Sequence, residues 1–142
     1  MKKKISLVML LAISLCLPAF AKTENENDKA EKEFQRLKAV FEDEISYPPY
    51  SDYTFTVRYW DSESGRNIIA MGKMALPFIM EEVKRGNSWY AVAAARITGI
   101  KMRGPTADDL NRQWLEWWDE NKNNPDWNIF IASTVAEQQQ EY

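Results

Sequence analysis

IIAMGKMALPFIMEEVKRGNSWYAVAAARITG, residues 68–99, decides the fold. Gly72, Gly86 and Gly99 cut this stretch into pieces of helical length, and glycine closes helices because it tolerates the left-handed conformation at their ends. Pro77 falls in the first turn of the middle piece, where a missing backbone N–H costs least. At about 100° per residue, Leu76, Ile79, Met80 and Val83 share one face of a helix from Ala75 to Arg85. Asn87 or Ser88 is placed to cap the next helix, Trp89 to Ile97, which Thr98 and Gly99 close. Its alanines lie on several faces, which suits close neighbours on more than one side, so the pattern puts this helix at the centre.

Working toward the N-terminus, Ser62 or Ser64 is a cap for a helix from Gly65 to Met71, ended at Gly72. Ala30, Phe34, Leu37, Phe41 and Ile45 recur at spacings of four, three, four and four, with charged and amide side chains between them. That is one apolar stripe on a helix. It should stop before Pro48-Pro49, because proline lacks an N–H and restricts the residue before it. Between these helices, residues 53–60 alternate, with Tyr53, Phe55, Val57 and Tyr59 on one side. No comparable segment offers a partner strand, so 53–60 reads as an extended or irregular connection.

Toward the C-terminus, Gly104 and Pro105 interrupt the chain, and Thr106 with Asp109 resembles a capping box. Leu110, Trp114, Trp117 and Trp118 follow on one side of the last helix. Residues 127–135 are apolar enough to dock on the domain, and 137–142 form a polar tail expected to fray. The pattern is an all-α domain of four to five short helices.

Lys2, Lys3 and Lys4, the apolar run from Ile5 to Leu17, and Ala19-Phe20-Ala21 form the three parts of a cleavable export signal. The apolar run is well short of the ~20 residues that cross a bilayer. Leu15 before Cys16 departs from the small residue of a lipoprotein site, which argues against lipidation. The expected organisation is therefore a signal peptide at 1–21, a flexible lead-in at 22–32, a single helical domain at 33–136 and a tail at 137–142. The expected location is outside the cytoplasm, periplasmic or secreted.

Three of the 18 basic residues and none of the 21 acidic ones fall in the signal. Residues 22–142 thus hold 15 basic against 21 acidic side chains, a formal charge of −6. Such a domain has no electrostatic footprint for nucleic acid, and no membrane insertion is expected once the signal is cleaved. With no histidine in the chain, and its one cysteine inside the signal, Ser-His-Asp and Cys-His catalysis and thiolate zinc sites are excluded. No cofactor and no metal are implied. Carboxylates, Lys, Tyr, Ser and Thr remain, which suffice for a glycosidase and little else.

The run 68–80, Ser88-Trp89-Tyr90-Ala91, Arg96 to Gly99 and Gln113-Trp114-Leu115-Glu116-Trp117 together resemble a helix-turn-helix unit of short bacterial HEAT-like proteins. The likeness covers about residues 33–118. It implies a HEAT-like or armadillo-type short helical array, and no assigned enzyme activity or catalytic residues. Ile100-Lys101-Met102 departs from the acidic residue, Asn and Pro that usually follow the glycine of that group.

Helical-repeat surfaces suit extended protein contacts, so the expected function is non-enzymatic protein binding by an exported domain. The candidate contact residues are Phe78, about 200° from the Leu76 face, Tyr90, about 100° from Trp89, and Trp118 at the edge of the Leu110 stripe. The alternative is a carbohydrate-binding or glycosidase-like protein, with a platform of Trp114, Trp117, Trp118, Trp89 and Trp127 beside carboxylates from Glu81-Glu82 and Asp108-Asp109. Adjacent residues on a helix diverge by about 100°, so neither acidic pair converges on one substrate alone. Tryptophans at helical spacing also fill the core of a small domain, which the spacing by itself explains. Arg96, near the Trp89 and Val92 face, is expected to pair with a carboxylate or to snorkel.

Overall fold

The computed structural model describes residues 25–124. The export signal at 1–21, the docking of 127–135, Trp127 itself and the tail at 137–142 lie outside the described residues. Within them the chain forms five α-helices and no strand: α1 (Glu26–Ile45), α2 (Glu63–Ala70), α3 (Leu76–Lys84), α4 (Tyr90–Thr98) and α5 (Ala107–Asn121). The all-α expectation and its count of four to five helices both hold.

α1 begins inside the stretch expected to be a flexible lead-in, so 26–32 belong to the domain and not to a linker. Asn25 Oδ1 accepts from the Asn27 N–H, and Glu26 and Asp28 place negative charge at the positive end of the helix. Ala30 is already buried there, in line with Phe34, Leu37 and Phe41. The helix ends at Ile45, ahead of the two prolines as expected.

Residues 46–61 form an irregular connection and no strand. They pass a cis Pro48-Pro49 peptide and then form two short 3-10 turns, Tyr50–Asp52 and Thr56–Asp61. Tyr53, Phe55 and Val57 stand in solvent, Tyr59 on the same side of the alternation is half-buried, and Trp60 from the other side is wholly buried. The backbone is satisfied without a partner strand because Arg96 Nη1 donates to the Trp60 carbonyl at 3.1 Å and Nη2 to the Val57 carbonyl at 3.2 Å. Arg96 also pairs with Asp61 at 3.0 Å. Trp60 itself stacks on Phe41 at 4.4 Å and donates its indole N–H to the Trp89 carbonyl at 2.8 Å. One anchor and one clamp thus hold the connection against α1 and α4.

Ser62 caps α2, its hydroxyl accepting from the Gly65 N–H at 3.1 Å. The α2 N-terminus is tied to α1 as well, since Glu44 accepts from the Ser64 N–H at 3.1 Å, the Glu63 N–H at 3.3 Å and the Ser64 hydroxyl. Gly65 has to be small here, because a Cβ would stand 2.9 Å from Ser62 Oγ and 3.0 Å from Trp60 Cα. Gly72, Gly86 and Gly99 all have positive φ, as the three-way division of 68–99 requires.

α1 packs on α2, α2 on α4, and α3 on both α4 and α5. The core they enclose holds Phe34, Leu37, Phe41, Trp60, Ile68, Leu76, Ile79, Met80, Val83, Tyr90, Ala93, Ala94 and Trp114. Ala93 and Ala94 are fully buried on α4, which touches α2, α3 and α5. Small side chains there let three helices approach one another, the placement its composition predicts.

Candidate functional site

Two polar clusters sit on this frame, and they differ in whether their hydrogen bonds are closed. The first is centred on Glu82 of α3, 1 % exposed. Its Oε1 accepts from Lys38 Nζ and from Arg85 Nη1, each at 2.7 Å, and its Oε2 from Asn87 Nδ2 at 2.7 Å. Burial alone would raise this carboxyl, but the Lys38 and Asn87 hydrogen bonds with the Lys38 and Arg85 charges outweigh it and hold it below the usual range. Lys38 also lies 3.8 Å from Glu42, which accepts from the Tyr90 hydroxyl at 3.2 Å. Burial, reinforced by Glu42, pushes that hydroxyl far above the ordinary tyrosine value, so it stays protonated. The bonds from Lys38 to Glu82 and from Tyr90 to Glu42 cross between helices, which makes the cluster a tie between α1, α3 and α4.

The second lies between α4 and the start of α5, in a cleft of about 380 Å³, within the range of small-ligand sites. Ala91, Val92, Ala95, Met102, Leu110 and Trp114 give it mostly apolar walls, and Thr56 and Lys101 also line it. Two of its lining residues, Trp89 and Asn111, each carry a buried polar atom, Nε1 and Oδ1, that has no hydrogen-bond partner among the described residues. Buried polar atoms are nearly always paired, so this wall of the cleft is less closed than the Glu82 cluster. Lys101 is the only charged residue among the described ones lining it, and has no ion pair among them. The cleft is built locally: Trp60 holds the Trp89 carbonyl, Gly99 at φ 74° turns the chain out of α4, and Thr106 caps α5 through the Asp109 N–H at 3.1 Å.

Beside this cleft runs an aromatic strip. Of six large apolar side chains that remain exposed among the described residues, four fall in one segment: Tyr47, Tyr53, Phe55 and Val57. Phe55 is 74 % exposed. Thr56, between Phe55 and Val57, lines the cleft, so the strip and the cleft are continuous along the chain.

Of the three residues expected to make contact, Tyr90 is placed differently, while Phe78 and Trp118 stay partly exposed. Tyr90 is 0 % exposed, its ring edge-on to Phe41 and Trp60 and its hydroxyl held by Glu42, so it is core and not contact surface. A position about 100° from Trp89 is still inside when its helix has neighbours on several sides. Phe78 and Trp118 are half-buried against the core, Phe78 with its ring 5.4 Å from Phe34. None of the three lines the cleft.

Of the tryptophans expected as a sugar platform, Trp89 and Trp114 line the cleft. Trp114 is 2 % exposed, and Trp117 and Trp118 pack half-buried against the core. Glu82 is committed to the tie, and Asp109 accepts from the Thr106 hydroxyl at 2.7 Å while facing Arg112 at 3.7 Å. No carboxylate lines the cleft among its described residues. Neither is there a group of three or more acidic, His or Cys side chains among the described residues that could hold a metal ion.

Asn111 carried a signal that went unread. Ala107, Leu110 and Trp114 sit at helical spacings on one face, and Asn111 falls between Leu110 and Trp114 on it. A short amide on an apolar stripe is a buried polar group by construction. Compared with known protein families, curated proteins and solved structures, the chain matches none.

Proposed function

We propose that this protein is a non-enzymatic binding module that takes a peptide segment of another protein into the α4/α5 cleft and along the strip at Tyr53, Phe55 and Val57. The observation that carries this reading is the exposed strip of Tyr53, Phe55 and Val57, joined through Thr56 to a mostly apolar cleft. A polypeptide offers a C=O acceptor and an N–H donor at every residue, together with side chains for apolar walls. The exposed aromatics next to the cleft supply the kind of residue that dominates protein interfaces. Arg96 and Trp60 fix that strip in one conformation before any partner arrives, which lowers the ordering cost of binding.

The export signal read at 1–21 would place this module outside the cytoplasm, and the likeness to short HEAT-like proteins is in keeping with a protein-binding role. Placing a photo-crosslinking benzoylphenylalanine at position 55, and separately at exposed Glu81 on α3, tests the reading in the producing cells. A discrete protein adduct from position 55 and none from position 81 is expected. Equal labelling from both, or none from position 55, would overturn it.

A further inference from the structure

Resting on that peptide-binding reading, we infer that residues 127–135 of the chain itself cover the α4/α5 cleft until a partner segment displaces them. α5 supplies one wall of the cleft through Ala107, Leu110 and Trp114, and the described chain stops at Asn124, just past the end of the same helix. The occupant is thus tethered to the wall it covers. Three observations select it.

The first is the state of α5. Leu110, Trp114, Trp117 and Trp118 lie on one side of this helix, yet only Trp114 is buried, and the others are half-buried. Trp117 meets Trp114 edge-on at 5.5 Å. A half-covered apolar line therefore runs from the cleft at Leu110 to the C-terminal end of α5, where residues 125–142 begin. The second is composition. WNIFIASTV, residues 127–135, holds no charged side chain, and such a segment gains most by leaving water against an apolar surface. Among the described residues lining the cleft only Lys101 is charged. Two other clefts among the described residues suit it less, being lined by Arg36, Asp43, Glu44 and Glu63 in one case and by Lys84, Arg112 and Glu116 with further acidic groups in the other.

The third is reach. At 1.5 Å per residue, α5 carries the chain about 17 Å from Leu110 to Asn121. Beyond it the Asn124 N–H donates to the Asn121 carbonyl at 2.8 Å, and Pro125 cannot continue the helix. An extended chain covers about 3.3 Å per residue, so residues 125–132 span up to about 26 Å, enough to return to the level of Leu110. A tether this short holds the segment at a local concentration of the order of millimolar. A partner segment enters by outcompeting it.

The test uses the full chain. Cys16 is its one cysteine, so in a Cys16→Ser background introduced cysteines react alone. Ala107→Cys, exposed at the rim of the cleft, is paired with Ala132→Cys, and Val40→Cys, exposed on α1, is paired with Ala132→Cys as the control. A short bismaleimide should join 107 to 132 within one chain at least tenfold faster than 40 to 132. Phe130→Asp should slow the first reaction at least fivefold and leave the control unchanged, whereas an unfolded chain would join both pairs alike.

Equal rates for the two pairs would overturn the inference. So would a 107–132 product that is a covalent dimer, which makes the occupant a second copy of the chain. With benzoylphenylalanine at position 55 in the producing cells, Phe130→Asp should raise the partner adduct at least threefold. An unchanged adduct would overturn the displacement. Fast joining of 107 to 132 with no adduct from position 55, even in Phe130→Asp, would overturn the peptide-binding reading while the self-made cover stands.

Discussion

The Glu82 cluster and the α4/α5 cleft lie on neighbouring helices, and each brings polar side chains into the interior. In the first, three donors from Lys38, Arg85 and Asn87 meet two carboxylate oxygens, and nothing is left over. In the second, one donor and one acceptor are buried without partners. The difference separates structure from function more sharply than residue type does: a carboxylate usually invites a catalytic reading, yet here it is the closed group. The plain amide of Asn111 and the indole of Trp89 are the open ones. Placing the same leucine in each cluster should therefore have effects of opposite sign.

The largest effect is expected from Glu82→Leu. The substitution removes the acceptor of three hydrogen bonds and leaves Asn87 and the partly buried Lys38 facing an apolar side chain. Hydrogen bonds to charged groups contribute about 1.5–3 kcal/mol each, but Arg85 is well exposed and Lys38 keeps Glu42 nearby, so the net loss should be about 2–3 kcal/mol. For a domain of this size that lowers the melting temperature by roughly 10 °C or more, read by circular dichroism. A melt within 2 °C of the parent would mean that the cluster is not a tie.

Acid should act on the closed cluster next. Burial would raise Glu44 as well as Glu82, but the Ser64 hydroxyl, the Ser64 and Glu63 N–H groups and the Arg66 charge hold Glu44 below its ordinary value of 4.5. Glu82 is depressed from the same value. A carboxyl whose folded-state pKa is lowered releases its proton more readily when folded, so its contribution is complete above about pH 4.5 and lost as pH falls through the folded value. Urea midpoints should be level from pH 7 to about pH 5 and fall steadily below that. In Glu82→Gln the fall should be shallower, because one of the depressed carboxyls is gone.

How much of this was legible beforehand follows the range of the interaction. The stripe of Ala30, Phe34, Leu37 and Phe41 and the face of Leu76, Ile79, Met80 and Val83 were readable, since a helix repeats its burial every three to four residues. Glu82 was not: it follows Glu81, is the same residue type, and differs only in meeting Lys38, 44 positions away. Asn87 was read as a helix cap for the same reason, while its amide in fact goes to Glu82. The stretch 53–60 was readable only as an extended or irregular connection, because nothing local reveals that Arg96 will bind two of its carbonyls. Tyr90 was misplaced by counting angles from Trp89 on a helix surrounded on several sides. Of the cleft, only Asn111 within an apolar stripe was visible in principle.

A smaller change tests the α4 side of the Glu82 cluster. Tyr90→Phe keeps the ring between Phe41 and Trp60 and removes the hydroxyl that donates to Glu42. Its cost should be about 1 kcal/mol, the ordinary net contribution of one such bond. Equilibrium urea unfolding resolves that difference. A loss above about 3 kcal/mol would mean that the hydroxyl anchors the Lys38, Glu42 and Glu82 groups as a unit and not through one bond.

The smallest effect on stability, and the most discriminating, is expected from Asn111→Leu. In the free protein the Asn111 carbonyl is buried without a partner, and an unpaired buried polar atom carries a desolvation penalty of about 1–3 kcal/mol. Leucine has nearly the same shape, and it continues the apolar face of Leu110 and Trp114. Removing the penalty should leave stability unchanged or raise it by up to about 1 kcal/mol, the opposite of Glu82→Leu. Peptide affinity should move the other way and fall about tenfold, because the ligand N–H loses its acceptor while the protein gains nothing from the peptide in return. A variant that is more stable yet binds less well is the pattern of a group kept for a ligand, since a structural role would lower both together. Loss of more than about 1 kcal/mol of stability with affinity intact would place Asn111 among the closed groups, beside Glu82, and remove the cleft as the site.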